Sequence, residues 1–210
     1  MATSSSKSNW FSRWISRKRN DAKIGFFGET NAGKTTLANH FSLDYTGKKM
    51  GSVSEIPHET RTIEKLEQVN FHIDDTSLEL TLMDMPGIAS SVDFQEFIRM
   101  GIPREDALVR AREATRGIIE AIRSITEVDL GLIVVDLSKA PFDQVNLTIL
   151  GNLEANKVPC IIVGNKMDLP GAKENSELLD QIFPDMSIIL ISALDGKGVK
   201  ELYSKIAEVV

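Results

Sequence analysis

A glycine-rich segment at residues 28–35 limits the choice of fold more than any other part of the chain. It reads GETNAGKT and matches the pattern G-x-x-x-x-G-K-S/T. A strand-like run at residues 23–27 precedes it, and a helix is predicted to begin near Gly33. Glycines let the backbone turn so that several N–H groups point inward, and a helix start adds partial positive charge. The segment therefore predicts a loop that holds a polyphosphate.

The rest of the chain alternates strand-like and helix-like runs, as expected for an α/β fold. Strands are predicted at residues 23–27, 61–73, 78–83, 130–135, 158–163 and 188–191, and helices at 33–41, 103–127 and 199–210. Residues 43–60 are predicted to be a loop. Only the polar residues 74–77 join the second and third strands, which is too short for a crossover helix. We predict three layers around a mostly parallel six-stranded sheet with one antiparallel edge strand.

The lysine and the hydroxyl at the end of the loop are the candidate phosphate and metal ligands. Lys34 is expected to contact the β- and γ-phosphates, and the Thr35 hydroxyl to bind Mg²⁺. The alternative is a chance match on a glycine-rich turn, which the strand–loop–helix context disfavours. The predicted nucleotide-binding residues of this segment are Gly28, Glu29, Thr30, Asn31, Ala32, Gly33, Lys34, Thr35 and Thr36.

A second motif, Asp84-Met-Pro-Gly87, ends the third predicted strand. Asp84 could meet the same Mg²⁺ as Thr35, usually through water. Gly87 could bring its backbone N–H to the γ-phosphate because no side chain intervenes. Taken alone the motif would be a simple turn, but its place at a strand end downstream of the phosphate loop favours the metal site.

Two further segments predict recognition of a guanine base. Asn165-Lys166-Met167-Asp168 follows the fifth strand, and a carboxylate at Asp168 can accept two N–H bonds from the Watson–Crick edge of guanine. The last strand is followed by a segment whose backbone N–H can reach the guanine carbonyl. Its predicted base-binding residues are Ser192, Ala193 and Leu194.

Together these motifs resemble those of the translation-factor-related (TRAFAC) P-loop GTPases, and within them the Era-like branch. The resemblance covers residues 22–210 and includes the family pattern G-x-x-N-x-G-K-S/T. It implies a Mg²⁺-dependent GTP-binding and GTP-hydrolysing molecular switch that forms GDP. Founding members of the branch carry a C-terminal RNA-binding KH domain. This chain ends at its last predicted helix, so we expect that domain to be lacking and carry over no ribosomal role.

The resemblance also implies catalytic and metal-binding roles. The first switch is matched by residues 57–61, with Thr60 closing on Mg²⁺ and the γ-phosphate and Thr62 as a second candidate. The implied catalytic residues are Lys34, Thr60, Gly87 and Asn31, and the implied metal ligands are Thr35, Thr60 and Asp84. Ile88 stands where Ras-like proteins carry a glutamine that orients water. Hydrolysis is therefore expected to be slow unless it is activated. The activator could be K⁺ bound with help from Asn31, a partner protein or a G-domain dimer. The alternative for Asn31 is that it merely shapes the loop.

The segment after Asp84 is longer than the family norm. Residues 88–104 could form an enlarged second switch at which an unknown effector or activating protein reads the nucleotide state, or merely an extra surface turn. Basic residues are numerous around it, and an arginine finger is conceivable. Interleaved acids favour a paired, solvated helix face instead; the arginines are Arg99, Arg104, Arg110, Arg112, Arg116 and Arg123.

The N-terminal 20 residues differ from the rest of the chain. They hold five basic residues and no acid and so carry a charge of +5. Because the formal net charge of the whole chain is −6, residues 21–210 carry −11. Four apolar side chains fall within about 140° of arc on a helix: Trp10, Phe11, Trp14 and Ile15. We predict a basic amphipathic tail (residues 1–20) before a GTPase domain (residues 21–210), with residues 9–19 binding an anionic membrane surface. A docked or disordered tail is the alternative.

Composition and the lone cysteine bear on where the protein works. No apolar stretch reaches the roughly 18 residues that span a bilayer, and the lone Cys160 fits a reducing compartment. We expect a cytoplasmic protein, peripheral at the cytoplasmic face of a membrane. Two alternatives stay open: a binding module that uses GTP occupancy with little hydrolysis, and a ribosome- or RNA-associated assembly factor. RNA is the less favoured partner, because the body of the chain is acidic.

Overall fold

The computed structural model describes residues 21–50, 63–73, 76–87, 94–99, 101–140 and 144–210. A short 3-10 turn lies at Ile125–Glu127. The strands and helices, in chain order, are β1 (Asp21–Phe27), α1 (Lys34–Thr46), β2 (Glu64–Ile73), β3 (Thr76–Asp84), α2 (Phe94–Arg99), α3 (Arg104–Ser124), β4 (Leu130–Asp136), α4 (Gln144–Ala155), β5 (Cys160–Asn165), α5 (Ala172–Ile182), β6 (Ile188–Leu190) and α6 (Val199–Val209).

The six strands form one sheet in the order β2-β3-β1-β4-β5-β6. Within the described residues, β2 runs antiparallel to β3, and every other neighbouring pair is parallel. The predicted fold class is thereby confirmed. Parallel strands place their carboxyl ends at one edge of the sheet, and the loops that follow β1, β3, β4, β5 and β6 therefore meet there.

Two apolar layers hold the helices against the sheet. Alternate residues of a strand face opposite sides, so that Leu132 of β4 packs with α1 and α6 while Ile133 packs with α4 and α5. Both faces of β4 and β5 are covered, which explains their nearly continuous apolar sequence. Cys160 is one of these core residues, and burial raises the pKa of its thiol to about 12.

The first helix is longer than the sequence predicted. We expected it to end near Phe41 and a loop to begin at residue 43, but α1 continues to Thr46, where Gly47 ends it in the left-handed conformation (φ 71°). The extra turn is stabilised by Tyr45, whose ring lies 5.0 Å from that of Phe71 in β2 and 5.4 Å from that of Tyr203 in α6. These tertiary contacts outweighed the weak helical pattern of the segment.

The other predicted elements differ from the structure only at their ends. The predicted helix at residues 103–127 is α3 together with the 3-10 turn that follows it. The sequence did not assign bounds to α2, α4 or α5. None of the helices in the described part of the chain is long and apolar enough to cross a bilayer.

Candidate functional site

The phosphate loop leaves the carboxyl end of β1 and enters α1. Two of its glycines have backbone conformations that side chains rarely adopt, with φ of 139° at Gly28 and 98° at Gly33. A Cβ atom on Gly28 would lie 2.2 Å from the backbone oxygen of Val134, and one on Gly33 would lie 2.2 Å from Nδ2 of Asn165. Both positions therefore require glycine for sterics as well as for conformation.

Lys34 is folded back over the loop. Its side chain is buried, and its Nζ donates to the backbone oxygens of Glu29 at 2.6 Å and Gly28 at 3.2 Å. Burial lowers the pKa of Lys34 to about 8, although the nearby carboxylates of Asp84 and Glu29 oppose that shift. A buried ammonium beside a helix start can attract an anion.

Thr35 and Asp84 come together although 49 residues separate them in the chain. The Thr35 hydroxyl donates to Oδ2 of Asp84 at 2.5 Å, while Oδ1 of Asp84 is buried without a hydrogen-bond partner among the described residues. Burial raises the pKa of Asp84 to about 6, and the Thr35 hydrogen bond and Lys34 oppose that shift. This pair of oxygen groups fits Mg²⁺, which prefers oxygen ligands and usually binds one or two carboxylates plus phosphate and water oxygens.

Gly87 lies directly against the phosphate loop. A Cβ atom at this position would lie 2.8 Å from Cα of Thr30 and 2.9 Å from its Oγ1. The structure thus places the proposed γ-phosphate sensor at the phosphate loop itself. Thr60, Thr62, Ile88 and the N-terminal tail fall outside the described residues, and their assignments stay predictions.

Asn165 connects the two halves of the site. Its Nδ2 donates to the backbone oxygen of Ala32 at 2.7 Å, and its Oδ1 accepts the backbone N–H of Ala193 at 2.9 Å. Asn165 is buried, so both bonds form away from water, where an unpaired polar group is costly. One amide side chain therefore fixes the phosphate loop relative to the predicted base-binding segment.

The remaining predicted base-binding residues line the same edge of the sheet. Asp168 is exposed, and a hydrogen bond from the Ser192 side chain is the main cause that lowers the pKa of its carboxyl. Ser192 itself is buried, whereas Leu194 is 82% exposed. An ionised, accessible carboxylate beside a fixed backbone segment is the arrangement that a purine edge with two N–H donors requires.

A buried carboxylate in the site was missed at the sequence level. Asp136, at the end of β4, accepts from Lys166 Nζ at 2.6 Å and from the Ser138 hydroxyl at 2.6 Å. Lys166, which pairs with Asp136, has a positive φ of 65°. The available signal was an acid directly after the apolar strand predicted at residues 130–135.

Asn31 and Thr36 complete the predicted loop residues. Asn31 is exposed and adopts a left-handed conformation with φ of 63°, whereas Thr36 lies in the first turn of α1 and is half-buried. With these two residues, the structure brings together at one edge every predicted site residue that it describes.

The chain is similar in sequence to known GTPases. The model of the family described as 50S ribosome-binding GTPase matches residues 23–166. The tRNA modification GTPase MnmE of Helicobacter acinonychis is 30% identical over 199 residues, which cover 94% of this chain and 38% of MnmE. GTPase Obg of Akkermansia muciniphila is 29% identical over 201 residues, which cover 91% of this chain and 49% of Obg. The chain thus spans less than half the length of these relatives.

Solved structures give the same fold. Aquifex aeolicus Era bound to GDP and AlF4⁻ aligns with a TM-score of 0.68 and 22% identity over 90% of this chain and 57% of Era. A probable GTP-binding protein, engB, aligns with a TM-score of 0.59 and 25% identity, and the alignment covers 90% of this chain and 98% of engB. Both likenesses support the overall fold described above.

Proposed function

This chain belongs to the 50S ribosome-binding GTPase family, and we propose that it acts as a Mg²⁺-dependent GTP-binding and GTP-hydrolysing molecular switch. The observation that carries the proposal is the double hydrogen bond of Asn165 to Ala32 and Ala193. It sets the distance between a phosphate site and a base site, so that one nucleotide can occupy both.

Nucleotide binding is expected to use groups that the fold already positions. The loop N–H groups and the start of α1 attract the phosphates, and Lys34 adds a positive charge that burial has left poorly solvated. At the other end, Asp168 accepts from the base. Because these groups are held before the nucleotide arrives, binding requires little ordering of the chain.

Thr35 and Asp84 are the described residues that would hold Mg²⁺. When bound there, the metal would neutralise phosphate charge during phosphoryl transfer. The Thr35 hydroxyl can turn from Asp84 to the metal, while the buried Oδ1 of Asp84 supplies negative charge without a competing hydrogen bond among the described residues. In this arrangement both Thr35 and Asp84 would hold the ion through oxygen atoms.

Switching would begin at Gly87. This residue already contacts Thr30, so a γ-phosphate that enters between them must change the path of the segment that follows Asp84. Helix α2, within the proposed second switch at residues 88–104, packs on α3. A shift at Gly87 can therefore alter the surface of α2 and α3, where an effector or an activating protein would read the bound nucleotide.

Hydrolysis requires a water molecule to attack the γ-phosphorus as the bond to GDP breaks. Ile88 has no side-chain group that can orient that water, so the unaided reaction is expected to be slow. Asn31 is exposed on the phosphate loop, and we propose that its side chain helps to bind K⁺ beside the phosphates. The ion would add positive charge there, as an arginine finger does.

Turnover is expected to be at least about tenfold faster in K⁺ than in Na⁺, and Asn31→Gly is expected to remove the difference. Tenfold corresponds to about 1.4 kcal/mol in the barrier. Glycine is the informative replacement because it tolerates the φ of 63° at this position, so the variant loses the side chain without backbone strain. The measurement is phosphate release from GTP in the two salts at equal ionic strength.

The matched control is Asn156→Gly, because Asn156 is an exposed asparagine after α4 and distant from the loop. Equal rates in the two salts would end the K⁺ proposal but leave the switch intact. Binding of GTP with hydrolysis that stays negligible in every salt would favour the occupancy-dependent binding module. Equal affinity for ATP and GTP would overturn the proposed function.

We further propose that residues 9–19 attach the protein to an anionic membrane. β1 begins at Asp21, which is exposed at the amino end of the parallel strands. Seven residues of strand, roughly 20 Å, separate this point from the phosphate loop. A tail that leaves this end can bind a surface while the nucleotide edge stays accessible to partners.

Replacement of Arg13 and Arg17 by glutamine is expected to weaken binding to vesicles rich in phosphatidylserine by about 30-fold. Each basic residue near an anionic surface contributes about 1 kcal/mol. The matched control replaces Asn9 and Ser12, which lie on the same side of the predicted helix, by alanine. Co-flotation is the measurement. Equal binding to neutral and anionic vesicles would contradict the proposal, and salt-dependent RNA binding by the tail would favour the RNA-associated alternative.

A further inference from the structure

The hydroxyl of Thr30 is a buried polar group whose use is unexplained. Its Oγ1 atom is inaccessible to solvent and has no hydrogen-bond partner among the described residues. Buried hydroxyls in folded proteins nearly always have a partner, and a specific exception requires an explanation. The neighbouring backbone is already fixed, because the oxygen of Glu29 accepts from Lys34 and from the N–H of Ala32.

The position of this hydroxyl indicates where its partner would lie. A Cβ atom on Gly87 would lie 2.9 Å from Thr30 Oγ1 and 3.2 Å from Thr30 N, so both atoms are close to Gly87. Three residues before Gly87, Asp84 is held by Thr35 in the proposed metal site. The Thr30 hydroxyl therefore lies between the phosphate loop and the residue proposed to contact the γ-phosphate.

We infer that the Thr30 side chain binds the γ-phosphate, the group that GTP has and GDP lacks. Its hydroxyl donates to a γ-phosphate oxygen beside the N–H of Gly87. A hydroxyl that meets an anionic oxygen forms a charge-assisted bond, and GDP has no oxygen at that place. This inference rests on the proposed function, and it assigns to the side chain a role beyond the backbone contacts of the loop.

Two substitutions separate the hydroxyl from its surroundings. Thr30→Val keeps the branched shape and removes the hydroxyl, whereas Thr30→Ser keeps the hydroxyl and removes the methyl group. Binding is measured in Mg²⁺ buffer with two probes, GDP and a GTP analogue whose β- and γ-phosphates are joined by nitrogen. We expect Thr30→Val to weaken analogue binding about tenfold with GDP affinity unchanged, and Thr30→Ser to bind both nucleotides like the original protein.

Thermal unfolding of the nucleotide-free protein supplies an independent readout. A hydroxyl that supports the loop structurally would make Thr30→Val less stable. A hydroxyl without a partner in the protein is expected to leave Thr30→Val at least as stable as the original, since a methyl group needs no hydrogen bond.

The outcomes decide between the inference and the function on which it rests. Equal weakening of both nucleotides, unchanged binding of both, or a lowered melting temperature in Thr30→Val would overturn the inference alone. If Thr30→Ser also lost analogue binding, the loss would be due to side-chain shape and not to the hydroxyl. That result would likewise overturn the inference. Failure of the unsubstituted protein to bind either guanine nucleotide would overturn the proposed function, and the inference with it.

Discussion

Asp168→Asn is expected to lower the affinity for GTP by about two orders of magnitude and to make xanthine nucleotides the preferred ligands. An ionised carboxylate accepts the two neighbouring N–H groups of guanine, and each hydrogen bond to a charged group contributes about tenfold or more. A carboxamide offers one donor and one acceptor. That pair suits xanthine, which presents one N–H and one carbonyl oxygen at the same edge.

The substitution is expected to spare the fold. Asp168 is exposed, and its carboxyl accepts a hydrogen bond from Ser192 that an asparagine oxygen can also accept. Isothermal titration with GDP and with xanthosine diphosphate is the measurement. Asp195→Asn is the matched control, since Asp195 is an acid of the neighbouring loop that pairs with Lys197 at 3.4 Å. Equal loss of both ligands in Asp168→Asn would contradict a base contact.

Lys34→Met is expected to weaken GTP and GDP binding by at least about a hundredfold and to abolish hydrolysis. The variant removes the buried ammonium that we propose contacts the phosphates, and charge-assisted contacts of this kind are among the strongest hydrogen bonds. Nucleotide at 100 times the original dissociation constant stabilises the original protein by about 2.7 kcal/mol. The same concentration would stabilise the variant by about 0.4 kcal/mol at most.

The nucleotide-free variant is expected to stay folded, because burial of the charged Lys34 side chain destabilises the original protein. Its pKa is lowered to about 8 from 10.5, which corresponds to roughly 3 kcal/mol of instability below pH 8. The unfolded chain binds more protons between pH 8 and 10.5, so stability of the original protein rises with pH through that window. Lys34→Met is expected to lack this rise.

Thermal unfolding with and without Mg²⁺-GDP, repeated from pH 7 to 10, tests both parts. Lys173→Met is the matched control, because Lys173 is an exposed lysine of α5 outside the site. Full nucleotide stabilisation of Lys34→Met would refute the phosphate role of this lysine. A variant that unfolds at a much lower temperature than the original protein would show that its bonds to Gly28 and Glu29 are structural.

The sequence by itself determined the fold class and the position of the site along the chain. Apolar runs covered on both faces indicated parallel strands at residues 130–135 and 158–163, and the short link at 74–77 required an antiparallel pair. The polar motifs all follow predicted strands. Because carboxyl ends of parallel strands share one edge of the sheet, convergence of Lys34, Asp84 and Asp168 could be expected from order alone.

The tertiary structure alone decided which atoms meet. Asn165 bridges Ala32 and Ala193, Asp136 holds Lys166, and Gly87 touches Thr30, and no local pattern encodes these pairs. The length of α1 was also decided by packing of Tyr45 on distant rings. Periodicity reports which face of an element is buried, whereas hydrogen-bond partners and pKa shifts depend on distances and burial between segments far apart in the chain, which exist only once the sheet has formed.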